Sequence, residues 1–350
     1  MTYPMHICRA VTGMALAAGL MSATIAAAPT DGLGYERYEK PTLVATIGKG
    51  RTISWTCVGY GTPTVILTAG AGDWSAVWRK VQGAVGETTR TCAWDRAGFG
   101  FSSPSTEVQD VTHTEADLER ALAAAGIRGP YVLVSHSLGS YEALLFADRH
   151  LKDVAGFVLV DPAFPDQFRI VAARYPDVAK IQTAITSQNV RETRECLMGL
   201  RRHTVQPGVA GWSDCMGDDP DYPQALRHRL SELTRNPRRL ETQLSFTASE
   251  STDAGQVINP ARNYGSRPLI VLTAADSPDL PRSLAPPAVA DQMKAMQTHG
   301  WLEGHNGLAA LSSRGQNIRV GGSTHYIQLI KPQAVIDATL NVVWDARKNR

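Results

Sequence analysis

The sequence predicts an α/β protein in which a mostly parallel sheet is covered by helices on both faces. Two observations carry this prediction. From Leu43 onward, short apolar runs of the kind buried on both faces of a parallel sheet alternate with segments of helical periodicity. One long stretch, residues 162–263, is rich in Arg, Asp, Gln and Thr, with helical patches and no strong β run, and reads as a helical insertion.

Taken in order, the first stretch of the chain has Arg9 followed by an Ala/Gly/Leu/Met-rich run from Ala10 to Ala28, ending in three alanines. This reads as a secretory signal peptide over residues 1–28. The alternative is an uncleaved membrane anchor, but a span needs roughly 20 strongly apolar residues and this run is mostly alanine and glycine. Pro29 directly after the run leaves the cleavage bond open by a few residues. Asp31 to Lys40 is a polar lead-in. Leu43–Ile47 and Thr52–Val58, separated by Gly48-Lys49-Gly50, predict an antiparallel hairpin. Thr64–Thr68, Thr91–Trp94, Tyr131–Val134, Phe157–Val160 and Leu269–Leu272 predict buried strands, and Asn317–Val320 a further extended stretch. Between them Thr114–Ala125 and Leu138–Arg149 have the clearest helical periodicity.

Composition sets bounds. With 350 residues, 43% apolar content and a net charge of +2, the chain can bury a large core and has no electrostatic bias toward nucleic acid. Cys8 would leave with the signal, and Cys57, Cys92, Cys196 and Cys215 remain as an even set suited to an oxidising compartment. Four cysteines allow three pairings, and no C-x-x-C spacing suggests a metal or redox site.

The chemistry concentrates where the run Tyr131-Val-Leu-Val134 breaks at Ser135-His-Ser-Leu-Gly139 and restarts as a helix. That is the pattern of a nucleophile elbow, in which a serine occupies a sharp strand-to-helix turn and its flanking residues must be small. The candidate nucleophile is Ser137, with Ser135 in place of the usual first glycine. A serine hydroxyl is a poor nucleophile until a base takes its proton, so a histidine is required. His325, in the loop Gly321-Gly-Ser-Thr-His325 after an extended stretch, is the candidate base. His136 is read as structural, and His113, His299 and His305 as surface or capping residues.

Four blocks together resemble the α/β-hydrolase superfamily across nearly the whole mature chain apart from the insertion. Thr64-Val-Ile-Leu-Thr-Ala-Gly-Ala71 is similar to the strand-3 end that supplies half an oxyanion hole, with Ala69-Gly70 where the family usually has His-Gly. Cys92-Ala-Trp-Asp-Arg-Ala-Gly-Phe-Gly-Phe-Ser102 is similar to the D-R-x-G-x-G-x-S loop, and the elbow and the segment from Gly321 to Pro332 are the other two. The resemblance implies a mostly parallel eight-stranded sheet flanked by helices. Its helical cap is inserted after strand 6, with core segments at residues 31–161 and 264–350 and the cap at 162–263. It implies a triad in the order Ser137, Asp276, His325, with Asp161 at the end of strand 6 as the rival acid to the preferred Asp276. It implies oxyanion donors at the Leu138 and Ala71 backbone N–H groups. The family's sheet order places strands 2 and 4 side by side, which implies a Cys57–Cys92 bridge and leaves Cys196–Cys215 to staple the insertion. Asp95 and Arg96 are read as loop-holding residues, and Trp74, Trp78, Trp212 and Trp301 as core residues or pocket lining.

The function expected is an exported serine hydrolase, secreted or periplasmic, that cleaves an ester-like bond of a small molecule through an acyl-enzyme. No cofactor, metal, nucleic acid or lasting membrane partner is implied. Aminopeptidase, lactonase, C–C hydrolase and cofactor-free haloperoxidase chemistry remain open on the same triad, as does a non-catalytic binding protein. A serine in the elbow argues against the aspartyl nucleophile of haloalkane dehalogenases and epoxide hydrolases.

Overall fold

The computed structural model describes residues 32–206, 209, 211, 212, 215, 221–276 and 287–348. The expected signal peptide lies outside the described residues. Each predicted strand forms: β1 (Leu43–Gly48), β2 (Arg51–Val58), β3 (Thr64–Thr68), β4 (Thr91–Trp94), β5 (Tyr131–His136), β6 (Val154–Val160), β7 (Leu269–Ala274) and β8 (Gly315–Val320). They make one eight-stranded sheet in the order β1-β2-β4-β3-β5-β6-β7-β8. β1/β2 and β2/β4 are antiparallel, and every other pairing is parallel.

Side-chain alternation explains how the parallel strands read as continuous apolar runs. Ile66, Leu133, Phe157, Leu159 and Val271 point into one core with Leu118, Leu144 and Phe146 of the helices on that face. Val65, Leu67, Val132, Val134, Val158, Val160 and Leu272 point into the other, with Val81, Val85, Val335 and Val342. Both faces are therefore closed to water, so no polar alternation is needed. The helices involved are α1 (Arg79–Gly86), α2 (Val111–Ala124), α3 (Gly139–His150) and the C-terminal Pro332–Lys348. α2 begins one turn before its predicted start because the Asp110 side chain caps it, accepting the His113 N–H at 3.0 Å.

Between β6 and β7 the described residues form the helices Gln167–Arg174, Pro176–Arg201, Gln224–Thr234 and Pro237–Gln256. Cys57 and Cys92 face each other in register on β2 and β4, with Cα atoms 4.1 Å apart, and are bonded. Cys196 and Cys215 form the second disulfide, within the helical segment. No helix of the described residues is long and apolar enough to cross a membrane.

Candidate active site

β5 ends at His136, and Ser137 takes φ = +52°, a left-handed conformation that a non-glycine residue adopts only where its surroundings hold it. Hydrogen bonds do so on both sides. The Ser137 N–H donates to Val160 O at 3.1 Å, and its carbonyl accepts the Ala163 N–H at 2.9 Å and the Ser140 hydroxyl at 2.7 Å. Gly139 is required by close packing, since a Cβ there would lie 2.5 Å from Ala69 O and 2.9 Å from Thr68 O. Ser135, at the first small position, is fully buried.

His325 arrives from the loop after β8. Its Nε2 lies 3.0 Å from Ser137 Oγ and its Nδ1 lies 2.6 Å from Asp161 Oδ2. A carboxylate accepts, so Nδ1 carries the proton and Nε2 is left as the acceptor for the serine hydroxyl. Asp161, buried and at φ = +40°, is oriented by the Ala274 N–H, which donates to Oδ1 at 3.0 Å. Burial alone would raise its carboxyl, but the hydrogen bond and the charge of His325 outweigh burial and hold it below the ordinary carboxylate value.

The preferred acid, Asp276, is not the carboxylate against His325. Strand register gives the reason. His136 pairs with Val160, and Val160 with Leu272, so Ser137 and Asp161 leave adjacent strands at one level. β7 runs on to Ala274, and the Asp276 N–H is committed to Ser323 O at 3.1 Å, with its side chain exposed. The rival Asp161 is thus the carboxylate the fold brings to the histidine, and the sequence signal for it was its place at the end of Val158-Leu-Val160.

Leu138 and Ala71 belong to one apolar cluster, and neither backbone N–H has a protein acceptor among the described residues. Arg96 holds the Ala71 side of this pair. Its guanidinium donates to Ala69 O at 2.7 Å and Gly70 O at 3.0 Å, while Glu142 carboxylate oxygens accept at 2.5 and 3.1 Å. In a trans peptide the N–H is anti to the C=O, so clamping the Gly70 carbonyl aims the Ala71 N–H the other way. Asp95 accepts the Ser75 and Phe101 N–H groups at 2.9 Å each, as the turn reading of D-R-x-G expects. Trp74 and Trp78 are buried, and Trp74 Nε1 donates to the Tyr222 hydroxyl at 2.9 Å, tying the loop after β3 to the helical segment.

His136 is structural as read, and His305 departs from its reading as a surface or capping residue. His305 is fully buried, with Nε2 2.8 Å from Pro162 O and Nδ1 2.7 Å from Thr273 Oγ1, and braces the turn that carries Asp161. His136 packs its ring against His325, centroids 4.6 Å apart. Neither had a signal in its flanking sequence. One cluster of metal-ligand type among the described residues, Glu115, Glu119 and His150, lies on α2 and the end of α3, with Glu115 paired to Arg149 and Glu119 to His150.

The arrangement can deprotonate a serine and stabilise the resulting imidazolium. A sequence model described as the alpha/beta hydrolase family matches residues 65–338. The uncharacterized protein YqjL of Bacillus subtilis (strain 168) is 34% identical over 103 residues, 29% of this chain and 41% of that protein, so the match spans less than half of the relative. A candidate lipase (lip1) of Acinetobacter baumannii AYE superposes with a TM-score of 0.61 at 18% identity over 90% of this chain and 95% of that one. A candidate epoxide hydrolase of Pseudomonas aeruginosa does so with a TM-score of 0.58 at 15% identity over 87% and 96%. At such identities the two structures speak for the fold alone.

Proposed function

The chain belongs to the alpha/beta hydrolase family, and from that membership we propose that it is a serine hydrolase that cleaves an ester-like bond of a small substrate through an acyl-enzyme. The observation that carries this reading is the hydrogen-bonded chain from Ser137 Oγ through His325 to Asp161, at 3.0 and 2.6 Å. Ser137 attacks the acyl carbonyl, and its proton passes to His325 Nε2 as the tetrahedral oxyanion forms. Asp161 keeps the imidazole in the productive tautomer and offsets its positive charge. The Leu138 and Ala71 N–H groups receive the oxyanion, a contribution of about 3 kcal/mol per donor. His325 then protonates the leaving alcohol, and water attacks the acyl-serine by the same route.

The helical segment between β6 and β7 serves in this reading as a cap that selects substrate. Its polar, arginine-bearing character favours a small or polar acyl ester over a lipid. Two disulfides in a chain with an Ala-rich apolar N-terminal run support export to a secreted or periplasmic location. The elbow offers a hydroxyl and no carboxylate at position 137, which favours acyl transfer over displacement at a halide or epoxide carbon.

The test is hydrolysis of p-nitrophenyl acetate, butyrate and octanoate, with fluorophosphonate labelling in parallel. Ser137→Ala and His325→Ala should each lower kcat by about four orders of magnitude or more. Asp161→Asn should cost about 10⁴-fold and Asp276→Asn very little. Full activity in Ser137→Ala would end the proposal, and equal losses in the two aspartate variants would end the assignment of the acid.

A further inference from the structure

His136 has no part in the proton transfer above, yet its buried ring is in contact with two segments that build the site. Nε2 lies 3.0 Å from the main-chain O of His325. A carbonyl only accepts, so Nε2 carries the ring proton and Nδ1 of the neutral ring is a bare acceptor. The ring packs against His325 and Tyr326, with centroids 4.6 and 5.0 Å away. On the other side it meets the loop after β3, where a Cβ on Gly70 would come within 2.8 Å of Nδ1 and 3.2 Å of Ser137 Cβ.

Nδ1 faces Asp73 Oδ2 at 4.0 Å, too long for a hydrogen bond, and both atoms are buried without a hydrogen-bond partner. Two acceptors opposed in a dry setting are unfavourable, and one proton between them turns the contact attractive. Burial pushes the Asp73 carboxyl up to about 6 against the charge of His325, a Tyr326 hydrogen bond and the charge of Arg96. Burial and then the charge of His325 hold the His136 imidazole well below its ordinary value, against the His325 carbonyl and the charge of Asp161. Both shifts run toward the neutral form, so whatever proton the pair holds rests on Asp73, facing Nδ1.

We propose that Asp73 and His136 form a proton-sharing positioning pair that ties the loop Gly70–Asp73, the nucleophile strand and the backbone of His325 into one frame. The pair acts through other groups: it sets the distance of His325 Nε2 from Ser137 and the aim of the Ala71 N–H. The inference rests on the serine-hydrolase reading.

The test compares Asp73→Ala, Asp73→Asn, His136→Phe and His136→Gln with wild type, reading kcat and KM separately on p-nitrophenyl acetate, fluorophosphonate labelling rate and thermal unfolding. Misplacement of reacting groups by about 1 Å can cost about 10²-fold, so Asp73→Ala and His136→Phe should lose about ten- to a hundredfold in kcat with KM within about twofold. Asp73→Asn, whose amide can donate to Nδ1, and His136→Gln, whose amide can donate to His325 O, should recover to within about threefold. A purely structural role would lower the unfolding temperature without this split and without rescue. Wild-type kcat in Asp73→Ala, or an Asn variant no better than Ala, overturns the pair; if His136→Phe does not fold, the Asp73 series decides alone. A wild-type protein that neither turns over ester nor takes the label overturns the serine-hydrolase reading and the pair with it.

Discussion

Ser137 and Asp161 sit at the ends of neighbouring strands with φ of +52° and +40°, and this shared strain is what turns both side chains toward His325. A non-glycine residue in that region costs on the order of 1 kcal/mol or more, so Ser137→Gly should unfold at higher denaturant than Ser137→Ala, by about 1 kcal/mol, with activity lost in both. Equal stabilities would mean that the turn is not strained. Gly139 answers a different constraint, close approach. A methyl there meets two backbone oxygens, Ala69 O and Thr68 O, which cannot rotate away. Gly139→Ala should therefore cost about 1–3 kcal/mol by denaturant unfolding and lower kcat, because the displaced loop carries Gly70 and Ala71. Both glycine-sensitive positions were visible in the motif around Ser137, but the contacts of Asp73, His136 and His305 were not. A lone histidine or aspartate in sequence has no partner until the fold supplies one.

At the scale of elements, the helix Pro237–Gln256 docks on the core with carboxylates inside the joint. Glu250 and Asp253 are buried, each with one oxygen lacking a partner, and Asp253 Oδ1 accepts the Val111 N–H at 3.1 Å. Burial pushes both carboxyls up to about 7; for Asp253 the nearby charges of Glu142, Asp110 and Glu250 add to this, and for Glu250 the charge of Arg96 works against it. A folded-state pKa raised above the unfolded one contributes stability that is complete below the unfolded carboxylate range and lost as pH rises through the folded value. Thermal unfolding of wild type should then fall relative to Glu250→Gln/Asp253→Asn as pH goes from about 4 to 8. A constant difference across that range would show that neither group keeps its proton in the fold. The helical character of residues 162–263 was legible in the sequence, but the bounds of its helices and the polar residues they bury were not. Amphipathic patterning reports a face, and a carboxylate on its margin is assigned to solvent or core only by the neighbour.

At the scale of the molecule, two disulfides of sequence separation 35 and 19 close the β2–β4 edge and the helical segment. In the chain-entropy picture each loop of that size contributes about 3–4 kcal/mol, so Cys57→Ser/Cys92→Ser and Cys196→Ser/Cys215→Ser should each lower the unfolding free energy by about 2–4 kcal/mol. Loss of stability without loss of the esterase label in the second pair would separate the insertion's staple from the proposed active site. The sequence by itself determined the sheet's eight strands, two of the helices that cover it and the helical character of residues 162–263, because the buried strands and amphipathic helices each carry a local periodicity. It also determined the elbow, because its small residues stand together in one short stretch, although the contacts that demand Gly139 come from Thr68 and Ala69 on another strand and its loop. Which carboxylate meets His325 was decided only by tertiary structure. Asp161 and Asp276 both follow apolar runs, and local pattern holds no information on strand level. Register between β5, β6 and β7 brings Asp161 to the height of Ser137 and carries Asp276 past it. The same physical reason covers the Arg96 clamp on Ala69 and Gly70 and the Asp73–His136 contact: each joins segments distant in sequence, and distance across a sheet is set by packing.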